Sequence, residues 1–171
     1  MTRALVVYES MFGNTRVIAE AVGAALAEGG LRVDVVEVGS APDVLPADVA
    51  LLVVGAPTHT FSLSRPSTRR LAADQAAGDL VSRGRGVREW LAALRPVVRP
   101  VAARAFDTRM GTGWFTGSAA KMITKRLGRL HFDDVGAPRS FYVAGTCGPL
   151  LEGELDRAAD WARTVRAASP A

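Results

Sequence analysis

The sequence has little cysteine and few aromatic residues, and it has no long hydrophobic run. Cys147 is the single cysteine, which excludes an internal disulfide, and with only two histidines the chain shows no metal-ligand spacing. No segment has the uninterrupted apolar length needed to cross a bilayer, and the first residues lack the features of a signal peptide. We therefore expect a cytoplasmic protein with no membrane partner.

Positive charge is concentrated in one part of the chain. The 171 residues carry a net charge of +4 and fit a single domain, 1–171. Residues 62–88 hold six arginines and two aspartates, so this stretch accounts for the whole excess. Such a block suits an anionic partner or, equally, a solvated loop. Nucleic acid is a weaker interpretation, because no aromatic stacking residue interrupts the block, and we predict no nucleic-acid partner.

Five short segments rich in valine, leucine and alanine predict strands, at 4–8, 31–38, 49–55, about 101–106 and 140–144. They are nearly continuous in apolar residues, which is typical of strands covered on both faces. Helix-period stripes follow at 18–26, 87–94, 119–127 and 155–165. The link 39–48 predicts a turn or a single helical turn. Residues at about 62–86 predict a long basic excursion with a short helix near 67–77.

This order predicts an α/β fold with a doubly wound parallel sheet and helices on both faces. In such sheets, ligands bind beyond the carboxyl ends of the strands. The turn after the first strand is Ser10, Met11, Phe12, Gly13, Asn14 and Thr15. Gly13 permits a tight path, and the helix that follows presents unpaired N–H groups and a positive dipole end. The turn therefore suits a phosphate group. Alternatively, Asn14 or Thr15 merely caps the helix.

The turn resembles the phosphate-binding loop of the flavodoxin family, and its aromatic residue before glycine is similar to the flavodoxin domains of flavodiiron proteins. Three further segments resemble family elements in the same order: 53–61 the loop beside the flavin ring, 111–127 a glycine-tryptophan loop, and 148–162 the last helix. The resemblance implies a flavodoxin-like, doubly wound five-stranded parallel sheet. It also implies FMN as the cofactor.

The site residues that the resemblance implies lie in three loops. They are Ser10, Met11, Phe12, Gly13, Asn14 and Thr15; Pro57, Thr58, His59, Thr60 and Phe61; and Gly111, Thr112, Gly113, Trp114 and Phe115. Trp114 is the candidate for stacking on the ring, or it packs on the last helix. His59 reaches the ring edge or is a plain loop histidine, and Phe12 covers the ribityl chain or enters the core. No residue is predicted to be catalytic or to bind a metal.

The chain departs from the family pattern in the loop beside the ring. Flavodoxins have a glycine there whose peptide flips, but no glycine lies between Gly55 and Gly78. A non-glycine residue with φ > 0 would have to replace it, which puts one-electron chemistry in doubt. Arginines folded over the ring would favour two-electron chemistry instead. Cys147, with no second cysteine nearby, is expected to be a small buried thiol.

These features predict an FMN-binding, flavodoxin-like redox protein that transfers electrons. The partner would be a redox protein or a small-molecule acceptor, and the arginine block favours an anionic one. One alternative is an enzyme, an FMN-dependent quinone or NAD(P)H oxidoreductase. Another is a flavin-free binding or regulatory module on the same fold. The sequence makes no prediction of the oligomeric state.

Overall fold

The computed structural model describes residues 3–76, 78–111 and 117–167. Strands and helices alternate along the chain, and one turn of 3-10 helix, Val38–Ser40, follows the second strand. The elements are β1 (Arg3–Tyr8), α1 (Asn14–Glu28), β2 (Arg32–Glu37), β3 (Val49–Pro57), α2 (Pro66–Gln75), α3 (Val87–Ala93), β4 (Ala102–Met110), α4 (Ala119–Gly128), β5 (Asp134–Val135), β6 (Arg139–Val143) and α5 (Glu154–Ala167).

The strands form one parallel sheet in the order β2-β1-β3-β4-β5, and β6 also pairs with β4. Strand β5 pairs with the start of β4 and β6 with its end, so the two short strands share the fifth position of the sheet. Between them, Gly136 passes close to Arg104, since an added Cβ on Gly136 would lie 2.6 Å from the Cδ atom of Arg104. The predicted five-stranded doubly wound fold is confirmed.

The sheet is covered on both faces, as its apolar strands predict. On β1, Leu5 and Val7 face one hydrophobic core while Ala4 and Val6 face the other. Helices α3 and α4 pack on the first face, and α1 and α5 pack on the second. Continuous apolar runs are therefore the pattern of strands that are buried on both sides.

Strand β4 is longer than the sequence pattern predicts. It continues past Phe106 through Asp107 and Thr108, both of which are buried, to Met110. Other groups satisfy one oxygen of Asp107: its Oδ2 atom accepts hydrogen bonds from Thr58 Oγ1, from Ser118 Oγ and from the N–H of Ala120. Its Oδ1 atom is buried and has no hydrogen-bond partner among the described residues. The extension carries β4 to the edge of the sheet where the candidate site lies.

Helix α2 lies within the basic excursion and packs weakly. Ala72 is the one buried residue that the helix contributes. The excursion returns along the first loop, where the N–H groups of Val81 and Ser82 donate to the carbonyl oxygens of Met11 (3.1 Å) and Ser10 (2.8 Å). Within the described ranges, no helix is both long and apolar enough to cross a membrane.

Candidate functional site

A cavity of about 430 Å³ opens beyond the carboxyl ends of β1, β3, β4 and β6. Its position is the point at which successive strands leave β1 in opposite directions across the sheet, the usual ligand site of such folds. Four groups of residues line it: Ser10, Met11, Phe12, Asn14 and Thr15 after β1; Pro57, Thr58, His59, Thr60 and Phe61 after β3; Thr68, Leu71, Ala72 and Gln75 on α2; and Thr108, Arg109, Met110, Val143 and Thr146 at the ends of β4 and β6.

The loop after β1 ends in a helix start with unused hydrogen-bond donors. Gly13 is the N-cap of α1 and has a φ of 95°, which glycine adopts without strain. The first bond of α1 joins the N–H of Val17 to the carbonyl oxygen of Gly13 (3.0 Å). In the described part of the chain, the backbone N–H groups of Met11, Phe12, Asn14 and Thr15 have no protein acceptor. Together with the helix dipole, they suit an anion.

Neutral hydroxyls complete this end of the cavity. Ser10 Oγ accepts the N–H of Gly13 (3.1 Å), which leaves its own proton available to a ligand. The hydroxyls of Thr15 and Thr108, both in the cavity lining, are 2.7 Å apart and hydrogen-bonded to each other. One hydroxyl donates its hydrogen bond to the other, so the accepting hydroxyl can still donate a hydrogen bond to a ligand.

The loop after β3 has a strained turn at the cavity. His59 and Ser62 exchange two backbone hydrogen bonds, of 2.8 and 3.0 Å, and the turn between them places Thr60 at a φ of 43° and Phe61 at 70°. Both values lie in the left-handed region, where non-glycine residues are strained. The positive φ that the sequence requires in the absence of glycine is therefore present at two consecutive residues. Strain of this kind is typical of functional loops.

His59 lines the cavity beside a buried network of polar groups. Burial and, secondarily, the positive charge of Arg69 lower the pKa of the His59 imidazole. The Arg69 guanidinium donates to Ser64 Oγ (2.8 Å) and forms an ion pair with Glu89 (3.1 Å). Both effects, burial and the charge of Arg69, disfavour the charged form of the His59 imidazole.

Glu9 occupies the centre of that network, immediately after β1, and is fully buried. Its carboxylate accepts hydrogen bonds from the Ser64 hydroxyl and from the N–H of Val87 (2.7 Å). Burial raises the pKa of Glu9, while these hydrogen bonds and Arg69 oppose the shift. Gly86 packs tightly against this network, because a Cβ there would lie 2.5 Å from Arg69 Nη1 and 2.8 Å from Glu9 Oε2. The network connects β1, the excursion and α3.

Several arginines of residues 62–88 bind other groups of the protein, whereas Arg65, Arg70 and Arg83 are exposed. Arg85 donates to the carbonyl oxygens of Val38 and Ala41, and Arg83 pairs with Asp79. None of the six arginines of the block lines the cavity, although α2 forms one of its walls. The excursion thus covers the site while several of its guanidinium groups attach it to the rest of the molecule.

The structure brings together most of the predicted site residues. Phe12 is half-buried and lines the cavity, so its side chain is not part of the hydrophobic core. Gly13 shapes the loop but does not line the cavity. Gly111, with a φ of 65°, does not line the cavity either. Thr112, Gly113, Trp114 and Phe115 lie outside the described residues. The sequence prediction did not include the cavity residues of α2, β4 and β6. For β4, the polar pair Asp107-Thr108 at the end of an apolar run was the available signal.

The expectation for Cys147 is wrong, because its side chain is exposed. It lies in the loop after β6, where its carbonyl oxygen accepts a hydrogen bond from Asn14 Nδ2 (3.2 Å). Gly148 follows and packs so closely on Asn14 that a Cβ would lie 2.6 Å from its side-chain oxygen. The backbone around the cysteine, and not its thiol, therefore positions the first loop.

The fold and the cavity define an α/β protein of flavodoxin-like architecture. Residues 6–80, a little under half of the chain, match the flavodoxin family model, so the family resemblance is confirmed. No curated protein matches the sequence.

Solved structures resemble the chain over nearly its full length. Flavodoxin 1 from Bacillus cereus is 13% identical with a TM-score of 0.70, covering 99% of this chain and 100% of that one. A flavodoxin from the domain Archaea is 19% identical with a TM-score of 0.66, covering 97% of each chain. The flavodiiron protein of Giardia intestinalis is 16% identical with a TM-score of 0.58, covering 98% of this chain and 36% of that one. At these identities the likeness shows the fold.

Proposed function

We propose that this protein binds FMN in the cavity and transfers electrons to and from a redox partner. One observation carries the proposal: a single cavity joins a helix start with unused N–H donors to a loop that carries Pro57, His59 and Phe61. The first suits a phosphate ester, and the second suits a flat ring. The volume of about 430 Å³ is in the range of cofactor sites.

The residues of the cavity divide the work of holding FMN. The N–H groups of Met11, Phe12, Asn14 and Thr15 and the hydroxyls of Ser10, Thr15 and Thr108 would hold the phosphate. The loop Pro57–Phe61 and the apolar side chains of α2 would exclude water from the ring. When bound, FMN supplies reversible electron transfer, and the protein supplies binding and orientation.

Fluorescence titration with FMN and with riboflavin tests the proposal. If the first loop is a phosphate site, FMN should bind at least about 100-fold more tightly than riboflavin, which is about 2.7 kcal/mol. Thr15→Val keeps the shape of the side chain and removes one hydroxyl, so it should weaken FMN about tenfold and leave riboflavin unchanged. Thr164→Val, on the exposed surface of α5, is the matched control and should change neither ligand.

Three measurements on the purified protein distinguish the alternative functions. Failure to quench FMN fluorescence would overturn the proposal and favour the flavin-free module. Steady consumption of NAD(P)H with a quinone as acceptor would identify an oxidoreductase instead of an electron carrier. Anaerobic reduction with a dye of known potential shows how many electrons are taken up in each stage.

A further inference from the structure

Large apolar side chains are exposed around the mouth of the cavity. Phe61 is 65% exposed, Leu71 61% and Met110 49%, and all three line the cavity. They come from three separate elements, the turn after β3, helix α2 and the end of β4. Exposed apolar residues grouped at an opening are typical of interaction sites, whereas isolated ones need no explanation.

One arginine, Arg88, lies beside this apolar rim. The Arg88 guanidinium donates to the carbonyl oxygens of Leu63 (2.8 Å) and Ser64 (3.0 Å), in the segment that directly follows the turn carrying Phe61. Burial is the largest cause of the lowered pKa of Arg88, and the positive charges of the nearby Arg65 and Arg126 lower it further. We call Arg65, Arg88 and Arg126 the arginine cluster.

The arginine cluster, like Arg70, lacks the ion pairs that other arginines of the excursion make. Arg69, Arg83 and Arg85 each pair with a carboxylate. Over the described ranges, no carboxylate forms a salt bridge with any member of the arginine cluster. The nearby Glu89 is bonded to Arg69 and to the N–H of Gly86, so it offsets the positive charge only in part. A positive field therefore remains beside the rim.

We propose that the apolar rim and the arginine cluster together form the docking surface for a redox protein whose own surface is acidic. This inference rests on the proposed function, since docking at the cavity mouth would bring the partner to the bound cofactor.

The arrangement favours a protein over a small anion. The arginine cluster lies outside the cavity lining, so a small anionic substrate inside the cavity would not contact it. Protein interfaces combine apolar and aromatic side chains at the centre with polar and charged groups at the rim. Complementary charges raise the association rate and orient the partner, which is what a brief electron-transfer encounter requires.

The experiment uses two protein probes of opposite charge, an acidic [2Fe–2S] ferredoxin and the basic cytochrome c. Each is titrated into the ¹⁵N-labelled protein, with and without FMN, at low and high salt, and amide shifts are followed by NMR. The variant Arg65→Gln/Arg126→Gln removes two charges from the arginine cluster. The matched control Arg32→Gln/Arg129→Gln removes two charges from exposed arginines elsewhere. Arg88 is left unchanged because it holds residues 62–64.

The ferredoxin should bind at least about tenfold more tightly than cytochrome c at low salt, with shifts at Phe61, Leu71 and Met110. The cluster variant should weaken ferredoxin binding roughly fivefold to tenfold, and the control variant should weaken it less than twofold. Equal losses in the two variants would overturn the inference, and so would shifts located elsewhere. A response of the cluster to inorganic phosphate without any ferredoxin binding would assign it to a small anion.

The two proposals fail separately. Ferredoxin docking at the rim without FMN binding would remove the redox role and leave the acidic-partner surface. FMN binding with no preference for the acidic probe would leave the redox role and remove the surface.

Discussion

Gly117 supports the strained turn at the cavity, and replacing it with alanine tests that support. A Cβ on Gly117 would lie 2.1 Å from the carbonyl oxygen of Phe61 and 2.3 Å from its Cα atom. Both are backbone atoms, so rotation of a side chain cannot relieve the contact. The turn would have to move away from α4, and the cavity wall that it forms would move with it.

The chain provides an internal reference for the size of the effect. Gly111 and Gly117 have the same φ of 65°, but a Cβ on Gly111 would meet nothing within 4 Å. Gly111→Ala therefore measures the conformational cost alone, about 1–2 kcal/mol. Gly117→Ala carries that cost and an overpacking penalty of about 1–3 kcal/mol. We expect the second variant to lose roughly 3 kcal/mol of unfolding free energy, a large part of the usual total of about 5–15 kcal/mol.

Urea denaturation of the two variants measures the difference. Gly117→Ala should lower the urea midpoint by about 1–2 M and Gly111→Ala by less than about 1 M. FMN titration should show weaker binding for Gly117→Ala, because the turn lines the cavity. Equal midpoints would refute the reasoning, since they would mean that the turn moves at no cost.

Three further predictions concern groups at or behind the cavity. Thr60→Gly should raise the unfolding free energy by about 1 kcal/mol because glycine adopts φ > 0 without strain, whereas Thr60→Ala should not; equal effects in urea would contradict this. The lowered pKa of His59 means that the unfolded state binds more protons, so wild-type stability should rise with pH between the folded pKa and about 6.5. His59→Gln should remove that rise, and parallel stability curves for wild type and variant would argue against it. Glu9 has the opposite sign: its pKa is raised, so wild type should lose stability relative to Glu9→Gln as pH rises through that pKa. Denaturation at a series of pH values checks this, and a constant difference would contradict it.

The sequence predicts those parts of the fold that depend on local patterns. Apolar runs located every strand except the two-residue β5, and the 3.6-residue period located α1, α3, α4 and α5. The polar turn after β1 gave the donor end of the cavity, because glycine at φ > 0 before a helix start is a local property. These signals need no knowledge of distant residues.

The remaining features depend on contacts that are remote in sequence. The φ values of Thr60 and Phe61 are imposed by the pairing of His59 with Ser62 and by the closeness of Gly117, and no glycine marks them. Arg85 binds carbonyl oxygens more than 40 residues away, so its role could not be separated from that of a surface charge. The polar end of β4 resembled a loop because the partners of Asp107 come from other elements.

The wall of the cavity that α2 forms is attached differently from the walls that the sheet forms. The sheet-derived walls rest on the two apolar cores, whose strength depends little on ionic strength. Helix α2 buries Ala72 alone and is held by its own Arg69, which pairs with the partly exposed Glu89. Dissolved salt weakens such an ion pair where it reaches solvent. The side of the chamber facing α2 should therefore loosen in concentrated sodium chloride while the opposite sides stay rigid, and the rates of cofactor entry and release should follow the salt concentration.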